Sequence, residues 1–183
     1  ESSPSLGFGF RCGFLGLLHM EIIQERLERE YGMSIILTTP NVVYKVKKTN
    51  GSEIEIDSPV KMPSAQNVAE IQEPFIKTYI LVPTESMGVV MELAKARRGE
   101  FIAMEYLEGD RVRIAQFLPL SEILVDFYDK IKSMSKGYGS VEYELAGYRT
   151  EKLVKLDILI NGEPCDALSI IVHKDHAYAK GKS

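Results

Sequence analysis

Several features are missing from this sequence, and each absence narrows its reading. No stretch of about eighteen uninterrupted apolar residues occurs, so nothing reads as a membrane-spanning helix. The opening Glu1-Ser2-Ser3-Pro4 has no basic stretch leading into an apolar one, so it is not a secretory signal peptide. It also lacks an initiator Met, as expected of a chain that starts inside a longer protein. There are two cysteines, Cys12 and Cys165, far apart and in no CxxC arrangement, which reads as reduced thiols in a cytosolic protein. Positive charge is not in excess: 22 Lys and Arg stand against 26 Asp and Glu, for a net charge of −4. The field of the whole chain does not attract nucleic acid, so any RNA contact must come from local basic clusters. No GxxxxGK[ST] phosphate loop is present. No nucleophile–base pair or paired-carboxylate arrangement stands out, so no catalytic residue is assigned. His173 and His176 lack the Cys or carboxylate pattern that would complete a metal site, and none is assigned.

What is present is an ordinary folded chain. Its 183 residues are 45% apolar and 26% charged, enough for one medium domain or two small ones. Met20, Ile23, Leu27 and Tyr31 recur at helical spacing from Leu15 onward, with Leu15, Leu18 and Ile22 as an adjoining stripe. That predicts an amphipathic helix ended by Gly32, with Glu21, Glu25 and Glu28 as ordinary solvated positions. His19 sits among its apolar residues as a core or half-buried histidine. Ser34 to Thr39 is rich in β-branched residues and reads as a short strand. Val42 to Val46 is another, Asn50-Gly51 a hairpin turn, and Glu53 to Asp57 alternates as a half-buried strand. Lys45, Lys47 and Lys48 read as an exposed strand end. Residues 58–72 read as a linker or extended connection.

The most regular stretch is 74–147. Phe75 to Val82 alternates as a strand, and Thr84 to Arg98 follows as a helix capped at Thr84 or Ser86 and closed by Gly99. Phe101 to Leu107 and Arg111 to Leu118 are strands joined by the turn Glu108-Gly109-Asp110. A second helix spans about Ser121 to Ser135, Gly137-Tyr138-Gly139 breaks it, and Val141 to Leu145 is a last strand. This β-α-β-β-α-β order predicts an α+β, ferredoxin-like domain: a four-stranded antiparallel sheet with both helices on one face. Fold alone does not give function. Beyond it, Lys152 to Ile160 and Leu168 to Val172 read as strands, the first followed by the hairpin turn Asn161-Gly162, and a basic, polar tail follows from His173.

Several motifs in order carry a family resemblance over essentially the whole chain. The run Gly13-Phe14-Leu15-Gly16-Leu17-Leu18-His19-Met20-Glu21-Ile22 is similar to the helix opening of the third domain of elongation factor G-class translocation GTPases. The preceding Leu6-Gly7-Phe8-Gly9-Phe10-Arg11-Cys12 resembles the version found in the LepA (elongation factor 4) family. Pro83-Thr84-Glu85-Ser86-Met87-Gly88, Ala96-Arg97-Arg98-Gly99, Pro119-Leu120-Ser121-Glu122 and Ser135-Lys136-Gly137-Tyr138-Gly139 resemble the fifth domain of that class. Val172-His173-Lys174-Asp175 to Ala177-Tyr178 resembles the start of the C-terminal domain of LepA. Elongation factor G places an extra domain between its third and fifth, for which the segment 45–73 is too short.

The resemblance implies a division into the C-terminal half of the third domain (1–48), a connecting strand and linker (49–73), the fifth domain (74–148) and the start of the C-terminal domain (149–183). It implies a parent translation factor that binds GTP with Mg, acts on the ribosome and moves transfer RNA backward. It also implies work in the cytoplasm, peripheral contact with the inner membrane, and support of translation under stress. Without a phosphate loop this chain is expected to hold no GTP itself and to be a non-catalytic, ribosome-contacting piece. A half-complete third domain would leave Leu18, Ile22 and Ile23 partly uncovered, which predicts association with a second copy or with a neighbouring domain.

The residues expected to meet ribosomal or transfer RNA are Lys95, Arg97, Arg98, Lys136, Tyr138, His173 and Lys174. Lys95, Arg97 and Arg98 end a helix, where cations also complement the helix dipole; arginine forks suit phosphate oxygens. Tyr138 could stack on a base or pack on the sheet. His173, Lys174, His176, Lys180 and Lys182 form a basic tail that reads either as a solvated loop or as an RNA contact. The alternatives are a ferredoxin-like regulatory or protein/RNA interaction module unrelated to GTPases, and a small enzyme, for which no convergent titratable groups are found.

Overall fold

The computed structural model of the chain describes residues 2–3, 7–10, 12–14, 17–37 and 41–182. These fall into two compact units, one of residues 40–152 and one made of residues 1–39 with 153–183. At the start, β1 (Ser2–Ser3) pairs antiparallel with β2 (Gly7–Phe8). The predicted helix is present as α1 (Leu17–Tyr31); Leu6, Arg11, Leu15 and Gly16 of the expected motifs lie outside the described residues. Gly32 takes a positive φ of 64° and turns the chain off the helix, its N–H donating to the Glu28 carbonyl. The apolar stripe of α1 is largely uncovered, with Leu18 at 69% exposure and Ile22 also exposed. His19 is half-buried beside the Phe14 ring. The strand expected over 34–39 is not formed at 34–37, and Thr38 and Thr39 lie outside the described residues. β-branched residues favour a pleated surface only where a neighbouring strand supplies one.

In the 40–152 unit, β3 (Tyr44–Lys48) and β4 (Glu53–Ile56) form the expected hairpin. Its turn uses Asn50 differently from the expectation. Only Gly51 takes positive φ, while the Asn50 side-chain oxygen accepts from the Ser52 N–H, an Asx-type turn. Two short 3-10 turns, Pro59–Lys61 and Ala65–Asn67, fill the connection. The expected linker ends sooner than predicted, because residues 68–72 find a partner in β3 and become the start of β5 (Val68–Pro83). The hairpin and this strand therefore share one sheet. Next come α2 (Met87–Ala96), β6 (Glu100–Leu107), β7 (Arg111–Pro119), α3 (Phe127–Met134) and β8 (Ser140–Thr150).

The β-α-β-β-α-β expectation holds. β5 pairs antiparallel with both β7 and β8, and β6 pairs with β7, which puts the strands in the order β8-β5-β7-β6. One core joins Ile76, Ile80 and Val82 of β5, Val112, Ile114 and Leu118 of β7, Val90 and Leu93 of α2, and Phe127 and Ile131 of α3. Both helices thus cover the same face. The second helix is shorter than predicted. Leu120–Glu122 forms a 3-10 turn, and Asp126 at φ 56° interrupts the helical path before Phe127. Left-handed backbone cannot continue a right-handed helix, and the Asp126 carboxylate is held in place there by Arg97 and Lys130.

In the other unit, β9 (Leu153–Ile160) and β10 (Glu163–His173) form a hairpin. Asn161 and Gly162, at φ 53° and 85°, make the turn that the sequence announces. A turn at Lys174–His176 leads into α4 (Ala177–Lys182), which packs on β9. Among the described residues, no helix is long and apolar enough to cross a membrane.

Candidate nucleic-acid interface

The strand register separates the expected RNA-binding residues of the 40–152 unit into two groups. Arg97, Arg98 and Gly99 lead into Glu100, which pairs with Phe117 near the point where Phe75 meets Pro119. Lys136 to Gly139 lead into Ser140, which pairs with Leu81 near the point where Pro83 meets Arg111. Those are opposite ends of the sheet. Among the described residues, five apart from glycine take positive φ, and three of them, Asp110, Asp126 and Asn161, are types that tolerate it. The other two are Arg98, at 61°, and Lys136, at 54°.

Both sit in the same local design. At the end of α2, the Gly99 N–H donates to the Ala94 carbonyl and the Arg98 N–H to the Lys95 carbonyl. At the end of α3, the Gly137 N–H donates to Lys132 and the Lys136 N–H to Ser133. These are paired Schellman closures, in which the left-handed residue is usually Gly. A side chain there costs roughly 1–2 kcal/mol.

The Arg98 side chain turns inward. It is 14% exposed and forks onto Glu73, whose side chain is 0% exposed, while its Nε donates to Glu122 at 3.1 Å. Ser121 Oγ donates to the same Glu73 at 3.0 Å. Burial alone would lower the Arg98 pKa, but the bonds to Glu73 and Glu122 outweigh it and raise it. Burial, then the Glu73 carboxylate, pushes the nearby Tyr44 phenol up. Arg97 is also mostly covered and bonds Asp126 and the Glu122 carbonyl. The Arg97 and Arg98 forks, expected to meet phosphate, are both engaged by carboxylates within the fold. Burial pushes the Asp126 carboxyl up, but Lys130 and Arg97 outweigh it and hold it below its ordinary value. Lys95, in the last turn of α2, is exposed.

Lys136 and Tyr138 face the other way. Lys136 is 72% exposed and reaches Glu85, itself exposed, at 2.9 Å. Tyr138 is 77% exposed. Hydrogen bonds close the loop carrying them: the Gly139 N–H donates to the buried Ser135 hydroxyl at 2.6 Å, and that hydroxyl donates to the Ile131 carbonyl. A Cβ on Gly139 would lie 2.5 Å from Ser135 Oγ, so glycine is needed there for close approach.

In the other unit, His173 is half-buried; its Nδ1 accepts from the Asp175 N–H at 3.3 Å, and its ring meets that of His176 at 6.0 Å. Lys174 is exposed. Among the described residues no group of His, Cys, Asp and Glu could hold a metal ion.

Sequence reasoning missed Glu73, Ser121, Glu122 and Arg149. On the sheet face away from the helices, Arg149 stretches over the rings of Phe75 and Phe117, at 4.6 and 4.2 Å, to reach Glu100. Lys77 meets Glu144, and Arg113 meets Glu105, on that face. These are cross-strand charge pairs, in which Arg149, Lys77 and Arg113 each meet an acid. No local pattern marks these partners, because they lie many residues from the groups they hold.

A family model described as Elongation factor G C-terminus matches residues 70–159. Proteins named Elongation factor 4 match the whole chain: that of Shouchella clausii is 57% identical over 182 residues, that of Halalkalibacterium halodurans 58% over 182, and that of Lacticaseibacillus casei 55% over 183. The match spans 100% of this chain and 30% of each of those relatives. A crystal structure of a protein from Thermus thermophilus is 30% identical over 44% of this chain and 12% of its own, with a TM-score of 0.41, too partial a likeness to bear on the fold. Identity above one half along the entire chain, in several relatives of one name, with the matched C-terminal domain at its centre, places this chain in the elongation factor 4 family, as a region of such a protein.

Proposed function

We propose that this region docks a translation factor on the ribosome, and that in the 40–152 unit it does so through the Lys136–Tyr138 loop rather than through Arg97 and Arg98. The observation that carries the reading is the contrast in side-chain direction: Lys136 and Tyr138 project outward from a closed loop, whereas Arg97 and Arg98 are engaged within the fold. An exposed ammonium suits a phosphate, and an exposed ring suits a base. Lys95, Lys174 and His173 are further contacts, the last two on the C-terminal unit with transfer RNA or ribosomal RNA. GTP and Mg binding, hydrolysis and back-translocation belong to the intact factor, in the part that this chain does not match. Its place of work is the cytosol. Peripheral membrane contact rests on the family resemblance alone.

The test is co-sedimentation of this chain with bacterial ribosomes across a salt series, with Lys136→Ala/Tyr138→Ala beside it. Saturable binding that falls as salt rises, and that weakens in the variant, is the expected result, since phosphate contacts release counterions. Absence of binding at low salt would overturn docking by this region alone. An Arg97→Ala/Arg98→Ala variant is unsuitable as a probe of RNA contact, because it would leave Glu73 buried without its partner.

A further inference from the structure

Lys136 adopts a left-handed backbone that a glycine would take at lower cost. Among the described residues, the only return seen for its side chain is one exposed ion pair with Glu85, and such pairs contribute little. Tyrosines lie on the two elements that flank its loop. Tyr128 of α3 and Tyr143 of β8 are both exposed. Tyr143 sits opposite Thr78, between the core residues Ile76 and Ile80 of β5, so its ring is on the helix side of the sheet. α3 packs on β8, and Tyr128 lies near enough to Tyr143 for burial, then the Tyr143 hydroxyl, to push its phenol up. One helical turn on, Lys132 extends its ammonium to the Gly137 carbonyl at 3.4 Å, and Tyr138 follows directly. The acids of β8, Glu142 and Glu144, alternate onto the opposite face, where Glu144 is occupied by Lys77 and Tyr79.

We propose that Tyr143, Tyr128, Lys132, Lys136 and Tyr138 form one continuous strip along α3, β8 and the loop between them, and that it binds single-stranded or unpaired RNA. The tyrosines stack on splayed bases, and the two lysines meet the phosphates between them. This rests on the ribosome-docking reading and sharpens it from a loop to a surface with a stated mode. Charge argues for RNA here: the strip carries two exposed lysines in a chain whose net charge is −4. Unpaired RNA is favoured over duplex because only displaced bases offer a ring face to stack on. Glu85 competes with phosphate for Lys136 and must release it on binding.

The experiment measures fluorescence anisotropy of the whole chain with a labelled single-stranded RNA of about 12 nucleotides and with a duplex of the same length, alongside ribosome co-sedimentation. The strip predicts preference for the single strand. Tyr138→Ala and Tyr143→Ala should each weaken binding by at least about fivefold, with Tyr143→Phe restoring it. Lys136→Gly should weaken binding and reduce the salt slope by about 0.7 while the fold becomes no less stable. Glu85→Gln should tighten binding. Variants that bind the single strand like the parent chain overturn the strip even if ribosome docking stands. Single-strand binding that is lost in the variants, in a chain that does not pellet with ribosomes, supports the strip and sinks docking by this region. Loss of pelleting in the variants, with no affinity of the parent chain for the RNA, means that the surface meets a protein, and the proposal fails.

Discussion

The C-terminal ends of α2 and α3 are closed by the same hydrogen bonds, and each places a basic residue in left-handed backbone before a glycine. They differ in what the basic side chain does next. Arg98 returns to the fold and meets Glu73 and Glu122, so the cost of its backbone is offset by a covered ion-pair network tying β5 to the turn after β7. Lys136 leaves the fold, so the same backbone cost has little internal return. A basic residue at a helix end thus says nothing by itself about an external ligand. What decides is whether an acid elsewhere in the chain is placed to take it.

That difference can be broken most forcefully at Glu73. Glu73→Gln should leave the covered Arg98 guanidinium without its carboxylate and lower stability by about 3–5 kcal/mol in urea unfolding. Glu85→Gln, the corresponding change at the other end, should alter stability by well under about 1 kcal/mol. An equal loss in both would erase the contrast.

The glycines come next. Gly99→Ala would put a Cβ 2.7 Å from the Ala94 carbonyl oxygen, a backbone atom that cannot swing away, and should cost about 1–3 kcal/mol. Gly137→Ala meets no atom within 4 Å but sits at φ 87°, and should cost about 1 kcal/mol through backbone strain alone. Thermal melts of the two variants would separate clash from strain.

The smallest effect concerns acid. The Asp126 carboxyl is held low by Lys130 and Arg97 against the opposing effect of burial. A depressed carboxyl stabilises the fold above its unfolded value, near about 3.9, and that contribution disappears as pH falls through the lower folded value. Asp126→Asn keeps a side chain that tolerates the left-handed backbone. Its unfolding midpoint should therefore lie slightly below that of the parent chain at neutral pH and converge with it below about pH 3. A constant gap down to that pH would contradict the assignment.

Much of the fold was legible because it is written in local patterns. The alternation of Phe75 to Val82, the apolar spacing of Met87, Val90, Met91 and Ala94, and the turns at Gly109 and Asn161-Gly162 each specify their own backbone. What was not legible depends on distant partners. Residues 68–72 look like linker until β3 lies beside them, and Ser34 to Leu37 look like strand but pair with no strand among the described residues. The extent of the second helix was misread for a similar reason, since Asp126 is held by Arg97 from another element. At the candidate site, Tyr138 stood out as an aromatic residue between two glycines, with the basic Lys136 just before them. That Arg98 turns inward could not be read, because Glu73 precedes it by 25 residues and nothing in a single sequence marks the pair.

The most direct test makes one substitution at both helix ends and compares the results. Arg98→Gly and Lys136→Gly each replace a left-handed basic residue with the residue that takes that backbone at least cost. Urea unfolding should show Arg98→Gly less stable than the parent chain by about 3 kcal/mol or more, and Lys136→Gly equal to it or more stable by up to about 1 kcal/mol, with ribosome pelleting weakened in the second. If both changes stabilise the chain, Arg98 contributes nothing that the fold needs. If both destabilise it, Lys136 is a structural residue and the outward-facing site is wrong.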